Sequence, residues 1–149
     1  PDDAYRLNTQ IQTFELRFRQ QCRNAEKLVE IMKVHPGIRK VWYPGITEHA
    51  THREAVRLFG GRGFGAMVTF DFAGNTLNEK KIRRDRFIGA VSESIRIIPS
   101  LGDSHTILMP VESVWGIKYP EPGMIRLSVG FEDYSELEKT VVEALGEIR

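Results

Sequence analysis

Cysteine is nearly missing from this 149-residue sequence, in which Cys22 stands alone. One thiol cannot close an internal disulfide, and no spacing of cysteine or histidine suits a metal ion, so no metal site is expected. Long apolar runs are missing too. None approaches about 18 residues, so no membrane-spanning segment is expected. No basic start followed by an apolar stretch marks a signal peptide, which makes a cytoplasmic setting the expectation. Charge of one sign does not prevail either: 21 Lys and Arg stand against 20 Asp and Glu. That balance removes the general argument for nucleic acid or an acidic membrane as partner. The one basic run, Lys80-Lys81-Ile82-Arg83-Arg84-Asp85-Arg86, has no interleaved aromatics. It reads as the solvated face of a helix, with a phosphate-binding patch as the lesser alternative. The glycines at 60, 61, 63 and 65 follow a helix and precede a strand, the reverse of the nucleotide-binding order. His49 and His52 lie three apart with no third ligand in view. No nucleophile elbow or Ser/His/Asp set is supported by spacing.

What is present is the make-up of a packed domain. The content is 41% hydrophobic and 28% charged, as in soluble globular proteins. A chain of this length buries roughly 68–70% of its unfolded surface. No linker or repeat interrupts it, so residues 1–149 read as a single domain. The chain opens on Pro1 rather than Met, as a processed product or a cut fragment does.

Ile11, Phe14, Phe18, Cys22, Ala25, Leu28 and Met32 recur at steps of three and four and predict one long helix, closed by His35-Pro36-Gly37. Residues 39–43 predict a short strand, and a second helix is expected to open at Thr47 or Glu48 and run to about Phe59. Residues 66–72 form the clearest strand, with Val68, Phe70 and Phe72 on one side and Met67, Thr69 and Asp71 on the other. A third helix over about 78–91 and a strand at 95–98 follow. Residues 100–123 read as irregular. The strand at 124–130 puts Ile125, Leu127 and Val129 on one face and Arg126 and Ser128 on the other. The closing helix starts near Asp133 or Ser135, with Ser135 and Glu138 in capping-box spacing. The pattern predicts an α+β two-layer sandwich: a mostly antiparallel four-stranded sheet with helices on one face.

Two places stand out as candidate sites. Arg126 sits mid-strand among apolar residues, where a guanidinium is costly unless paired. Its planar fork matches a carboxylate through two parallel hydrogen bonds. The partner is either a ligand carboxylate or a neighbouring acid such as Glu132 or Asp133. The segment Pro99-Ser100-Leu101-Gly102-Asp103-Ser104-His105-Thr106 is small and hydroxyl-rich, which suits close approach of a ligand to the backbone. It equally suits a turn capped by Asp103 or Ser104. These residues alone do not name a reaction.

The order of short motifs does more. Ser100-Leu101-Gly102-Asp103 and Ile125-Arg126-Leu127-Ser128-Val129-Gly130-Phe131-Glu132-Asp133 resemble signature segments of the cystathionine γ-synthase, cystathionine lyase and methionine γ-lyase family. Thr13-Phe14-Glu15-Leu16-Arg17 with Asn24-Ala25, His35-Pro36-Gly37-Ile38, Val41 to Ile46, and Gly63-Phe64-Gly65-Ala66-Met67-Val68-Thr69-Phe70 extend the likeness over nearly the whole chain.

The resemblance implies the small C-terminal, aminotransferase-type domain of a pyridoxal-phosphate (PLP) enzyme of Cys/Met metabolism. The expected chemistry is a trans-sulfuration-type lyase or transferase reaction: β- or γ-elimination or replacement on sulfur-containing or O-acylated amino acids. It implies Arg126 and Ser100 as substrate-binding residues, with Leu101 and Gly102 as further candidates. The cofactor lysine belongs to an N-terminal PLP-binding domain that the sequence does not include. The chain is therefore expected to hold no covalent PLP and no catalytic residue of its own, and to be inactive alone. The complete enzyme is expected to be a homo-oligomer acting on an amino-acid substrate. The alternative is a non-catalytic domain or subunit that docks on a separate PLP-binding chain or mediates assembly. The loop from Met109 to Gly123 departs from the family pattern: it is shorter, and Val111-Glu112-Ser113-Val114-Trp115 replaces a Thr-His pair. That departure leaves the substrate open.

Overall fold

The computed structural model describes residues 2–116 and 123–148. In chain order the elements are α1 (Asp2–Ile11), α2 (Phe14–Val34), β1 (Ile38–Trp42), α3 (His52–Phe59), β2 (Met67–Phe72), α4 (Leu77–Val91), β3 (Arg96–Ile97), β4 (Ile107–Pro110), α5 (Val111–Trp115), β5 (Ile125–Ser128) and α6 (Tyr134–Gly146). One sheet runs in the order β1-β2-β5-β4-β3. The pairs β1–β2, β2–β5 and β5–β4 are antiparallel, and β3–β4 is parallel.

Alternation decides which side of the sheet is core. Val68, Phe70 and Phe72 of β2 and Ile125 and Leu127 of β5 are fully buried, and Leu108 of β4 lies opposite Leu127. Against them pack Ala25, Leu28, Val29 and Met32 of α2, Phe87 and Val91 of α4, and Leu137, Val141, Ala144 and Leu145 of α6. Phe70, Phe72 and Phe87 form an edge-on cluster with ring centroids 5.4–5.7 Å apart. The other side of the sheet carries Thr69, Arg126 and Met109 in one cross-strand row and Met67, Ser128 and Ile107 in the next.

The expected four-stranded, mostly antiparallel sheet is corrected to five strands of mixed direction. The added strand is β4, in the stretch that reads as irregular. Ile107, Leu108 and Met109 are buried on both faces of the sheet, so they form an unbroken apolar run with no period to detect. The single long first helix is also corrected. It divides at Gln12-Thr13 into α1 and α2, and only its second half joins the core. Cys22, Ala25, Leu28 and Met32 are buried, whereas Ile11, Phe14 and Phe18 are exposed. Cys22 is the small core residue its position suggests. Burial pushes its thiol up, and a Cβ added at Gly63 would lie only 2.9 Å from its own Cβ.

Caps account for the helix starts. The Thr76 hydroxyl accepts from the Glu79 amide, and the Glu79 carboxylate accepts from the Asn75 amide at 2.7 Å. For α6 the expected Ser135–Glu138 box is corrected to Asp133, whose Oδ1 accepts from the Ser135 amide at 2.8 Å. An aspartate is as strong a cap as serine and sits where the chain leaves extended geometry.

The basic run lies on α4 and is largely engaged. Lys80 reaches buried Asp71 at 3.2 Å, which also binds Arg39 at 2.6 Å. Lys81 and Arg84 both reach Glu112 at 2.8 Å. Arg83 donates to the Ala73 carbonyl. These contacts tie α4 to β2 and α5. Among the described residues no helix is long and apolar enough to cross a membrane, and no cluster of side chains could hold a metal ion. His52 is held by the Pro44 carbonyl at 2.8 Å, and His49 contacts Thr51.

Candidate functional site

The site lies where one end of the sheet meets α2. Arg126 sits in the middle of β5 between Thr69 and Met109, on the face turned away from the helix layer. No acid among the described residues pairs with it. Glu132 instead accepts from the Thr106 amide at 2.7 Å, and Asp133 caps α6. The Arg126 guanidinium donates through Nη2 to the Ser100 carbonyl at 2.6 Å. Its Nε is buried without a hydrogen-bond partner among the described residues. One nitrogen is therefore anchored, and another is buried and unsatisfied.

Ser100 contributes its carbonyl, and the residue is exposed. Leu101 is exposed at the rim. Gly102 adopts φ 77°, in the left-handed region where a side chain is strained. Its amide donates to the Ser128 hydroxyl at 2.9 Å. Ser128 was missed as a site residue. The signal lay in the alternation, which puts it on the same strand face as Arg126.

Asp103 stitches the turn, in the capping role foreseen for it. Its Oδ1 accepts from the His105 amide at 3.3 Å and the Ser104 hydroxyl at 3.2 Å. Its Oδ2 meets Arg96 at 2.7 Å. These contacts, led by the His105 amide, hold the Asp103 carboxyl below the usual aspartate range. An acid whose folded pKa is depressed keeps its contribution above the unfolded value and loses it as pH falls through the folded one. The turn is thus expected to stay ordered from neutral pH down through the ordinary aspartate range and to loosen only below it. The carboxyl carbon shift of Asp103 followed against pH checks this; a midpoint at or above that of a free aspartate would contradict it.

A cavity of about 240 Å³ opens beside this turn, lined by Phe14, Phe18, Met67, Leu101, Ser128 and Phe131 among others. Arg126 is not part of its wall but lies two residues from Ser128 along the same strand face. A larger groove of about 460 Å³ runs between α2 and α3 beside Leu58 and Phe59. The smaller cavity is the better candidate, because Leu101, Gly102 and Ser128 stand in its wall.

Among the described residues no lysine lines the cavity beside Gly102. Lys33 pairs with Glu30, Lys80 with Asp71 and Lys81 with Glu112, while Lys27 and Lys40 lie over the rings of Tyr134 and Trp42. Lys118 falls outside the described residues.

Fold and site together place Arg126 of the mixed five-stranded sheet beside the left-handed turn at Gly102. Residues 1–146 match the model of the family described as Cys/Met metabolism PLP-dependent enzyme, and the chain belongs to that family. It is 30% identical to the L-methionine gamma-lyase of Fusobacterium nucleatum subsp. polymorphum over 99% of this chain and 38% of that protein. It is 30% identical to the chloroplastic cystathionine gamma-synthase 1 of Nicotiana tabacum over 99% of this chain and 28% of that protein. Among solved structures, the O-acetylhomoserine sulfhydrylase of Wolinella succinogenes aligns with a TM-score of 0.80 at 25% identity, over 97% of this chain and 38% of that one. The chain therefore spans less than two-fifths of the length of these relatives.

Proposed function

We propose that this chain is the substrate-gripping, C-terminal domain of a PLP-dependent trans-sulfuration-type enzyme. Arg126 binds the α-carboxylate of a sulfur-containing or O-acylated amino acid, and the Ser100-Leu101-Gly102 turn borders the same substrate. The observation that carries this reading is the state of Arg126: it has no acid partner among the described residues, its Nε is unsatisfied, and Nη2 is tethered to the turn. A guanidinium so placed gains most from a bidentate carboxylate. Fixing the α-carboxylate orients the bonds at Cα for reaction, a positioning effect that lowers the barrier without any chemistry by the arginine itself. PLP, when held by the N-terminal domain of the complete enzyme, supplies the electron sink for elimination or replacement at the β or γ carbon. On this reading the chain is inactive alone, works in the cytoplasm, and belongs to a homo-oligomer when complete.

A second reading is a domain that docks on a separately encoded PLP-binding chain or serves assembly. It is favoured by α1, which has no buried residue, and by exposed Tyr5, Leu7, Ile11, Phe14 and Leu16. One experiment addresses both: the chain is mixed with a separately produced PLP-loaded N-terminal domain, and mass, visible absorbance and turnover of a sulfur amino acid are followed. Turnover that appears only when the two halves share one complex is expected. Binding without turnover would favour the assembly role, and turnover by the chain alone would overturn the proposal.

A further inference from the structure

We infer that Gln21, supported by Asn24, is a positioning residue that locks the Ser100–Asp103 turn from the helix layer. For its functional meaning this rests on the carboxylate-grip reading. Two of the turn's contacts come from β5: Arg126 Nη2 to the Ser100 carbonyl and the Gly102 amide to Ser128 Oγ. Two fixed points on one strand define a line about which the turn can still pivot. Arg96 adds an exposed ion pair to Asp103, and such pairs hold little. The third firm point is Gln21, a buried side chain whose Nε2 donates to the Asp103 carbonyl at 2.9 Å across 82 residues of sequence.

One turn further along α2, fully buried Asn24 grips the other side of the site. Its Nδ2 donates to the carbonyls of Gly130 and Glu132 at 3.2 and 3.0 Å. Gln20 Nε2 donates to Asn24 Oδ1 at 2.9 Å, which fixes the orientation of that amide. Gly130 and Glu132 belong to the segment leaving β5 just after Arg126 and Ser128. The two gripped loops are also sewn to each other, through the Thr106 amide to Glu132, the Gly130 amide to Thr106 Oγ1 at 3.0 Å, and the Phe131 amide to the Ser104 carbonyl at 2.9 Å. One face of α2 therefore sets the distance between the turn and the strand that carries the guanidinium. A hydrogen bond from a buried neutral amide is modest in stability but directional, so losing it should free the turn without unfolding the sheet.

The test is amide hydrogen exchange on the whole chain, comparing wild type with Gln21→Met, which keeps the side chain's length but lacks the donor, and with Gln21→Glu, which replaces donor by acceptor. Gly102 exchange is expected to rise roughly 5- to 10-fold in both, the effect of one such bond, while amides of β2 and β5 change less than about twofold. Unchanged Gly102 exchange in the variants overturns the proposal, and so does an equal rise at Gly102 and in the strands, which is general destabilisation. In the enzyme completed with its PLP-binding domain, Gln21→Met is expected to raise KM several-fold with kcat little changed; an unaltered KM overturns the functional half. If instead Arg126→Ala leaves kcat/KM unaffected, the grip reading fails while the exchange result stands, so the two failures are distinguishable.

Discussion

Arg126→Ala is expected to lower kcat/KM for the amino-acid substrate by roughly 30- to 5,000-fold in the enzyme completed with its PLP-binding domain. The range corresponds to the 2–5 kcal/mol typically lost when one partner of a desolvated charge pair is removed, at about 1.4 kcal/mol per tenfold change. The loss includes the penalty of leaving a substrate carboxylate without its partner. The visible absorbance of bound PLP should be unchanged, because on the proposed reading the N-terminal domain holds PLP and Arg126 holds only the substrate. Arg126→Lys serves as the control. It keeps the charge but loses the planar fork, so it should recover only part of the activity. The tether to the Ser100 carbonyl adds a second effect: without it the turn loses one of its points on β5. An Arg126→Ala enzyme with wild-type kcat/KM would remove the carboxylate grip altogether.

Phe87→Ala is expected to cost about 3–5 kcal/mol of folding stability, the range for deleting a large buried aromatic. Phe87 is fully buried and packs its ring at 5.4 Å from Phe70 and 5.7 Å from Phe72. With Val91 it makes up the buried contribution of α4. Against a typical total of about 5–15 kcal/mol the loss is large. Urea unfolding at constant m-value measures it. The ion pairs from Lys80, Lys81 and Arg84 should not compensate. They orient α4 over Asp71 and Glu112, but the desolvation of a buried pair offsets much of its Coulomb attraction, so it does not replace lost apolar burial. A loss below about 1 kcal/mol would show that α4 does not close over the aromatic cluster in the way its contacts imply.

Some of the site was readable along the chain and some was not, for reasons visible in single residues. Arg126 stood out because a charge interrupts an apolar alternation. Gly102 stood out because it follows a strand end and precedes a polar stretch. Ser128 shared the face of Arg126 but carried no mark of its own, since a hydroxyl on a strand is common. Gln21 and Asn24 carried none at all. Their amides lie on a helix stripe beside Cys22 and Ala25, and what they bind is backbone 82 and more residues away. A backbone acceptor leaves no trace in the identity of the residue that provides it.

The sequence by itself determined the α+β class, the buried faces of β2 and β5, the placing of the guanidinium opposite the core, and, through ordered motifs, the family. Those follow from local period and from residue chemistry, both of which survive in one dimension. Only the tertiary structure decided that β4 completes a fifth, mixed-direction strand pairing, that the first apolar stripe leaves its leading half exposed, and that Arg126 is tethered to the Ser100 carbonyl rather than to Glu132 or Asp133. Each of these depends on which distant backbone groups arrive within about 3 Å of one another, because hydrogen bonds are short-ranged and directional.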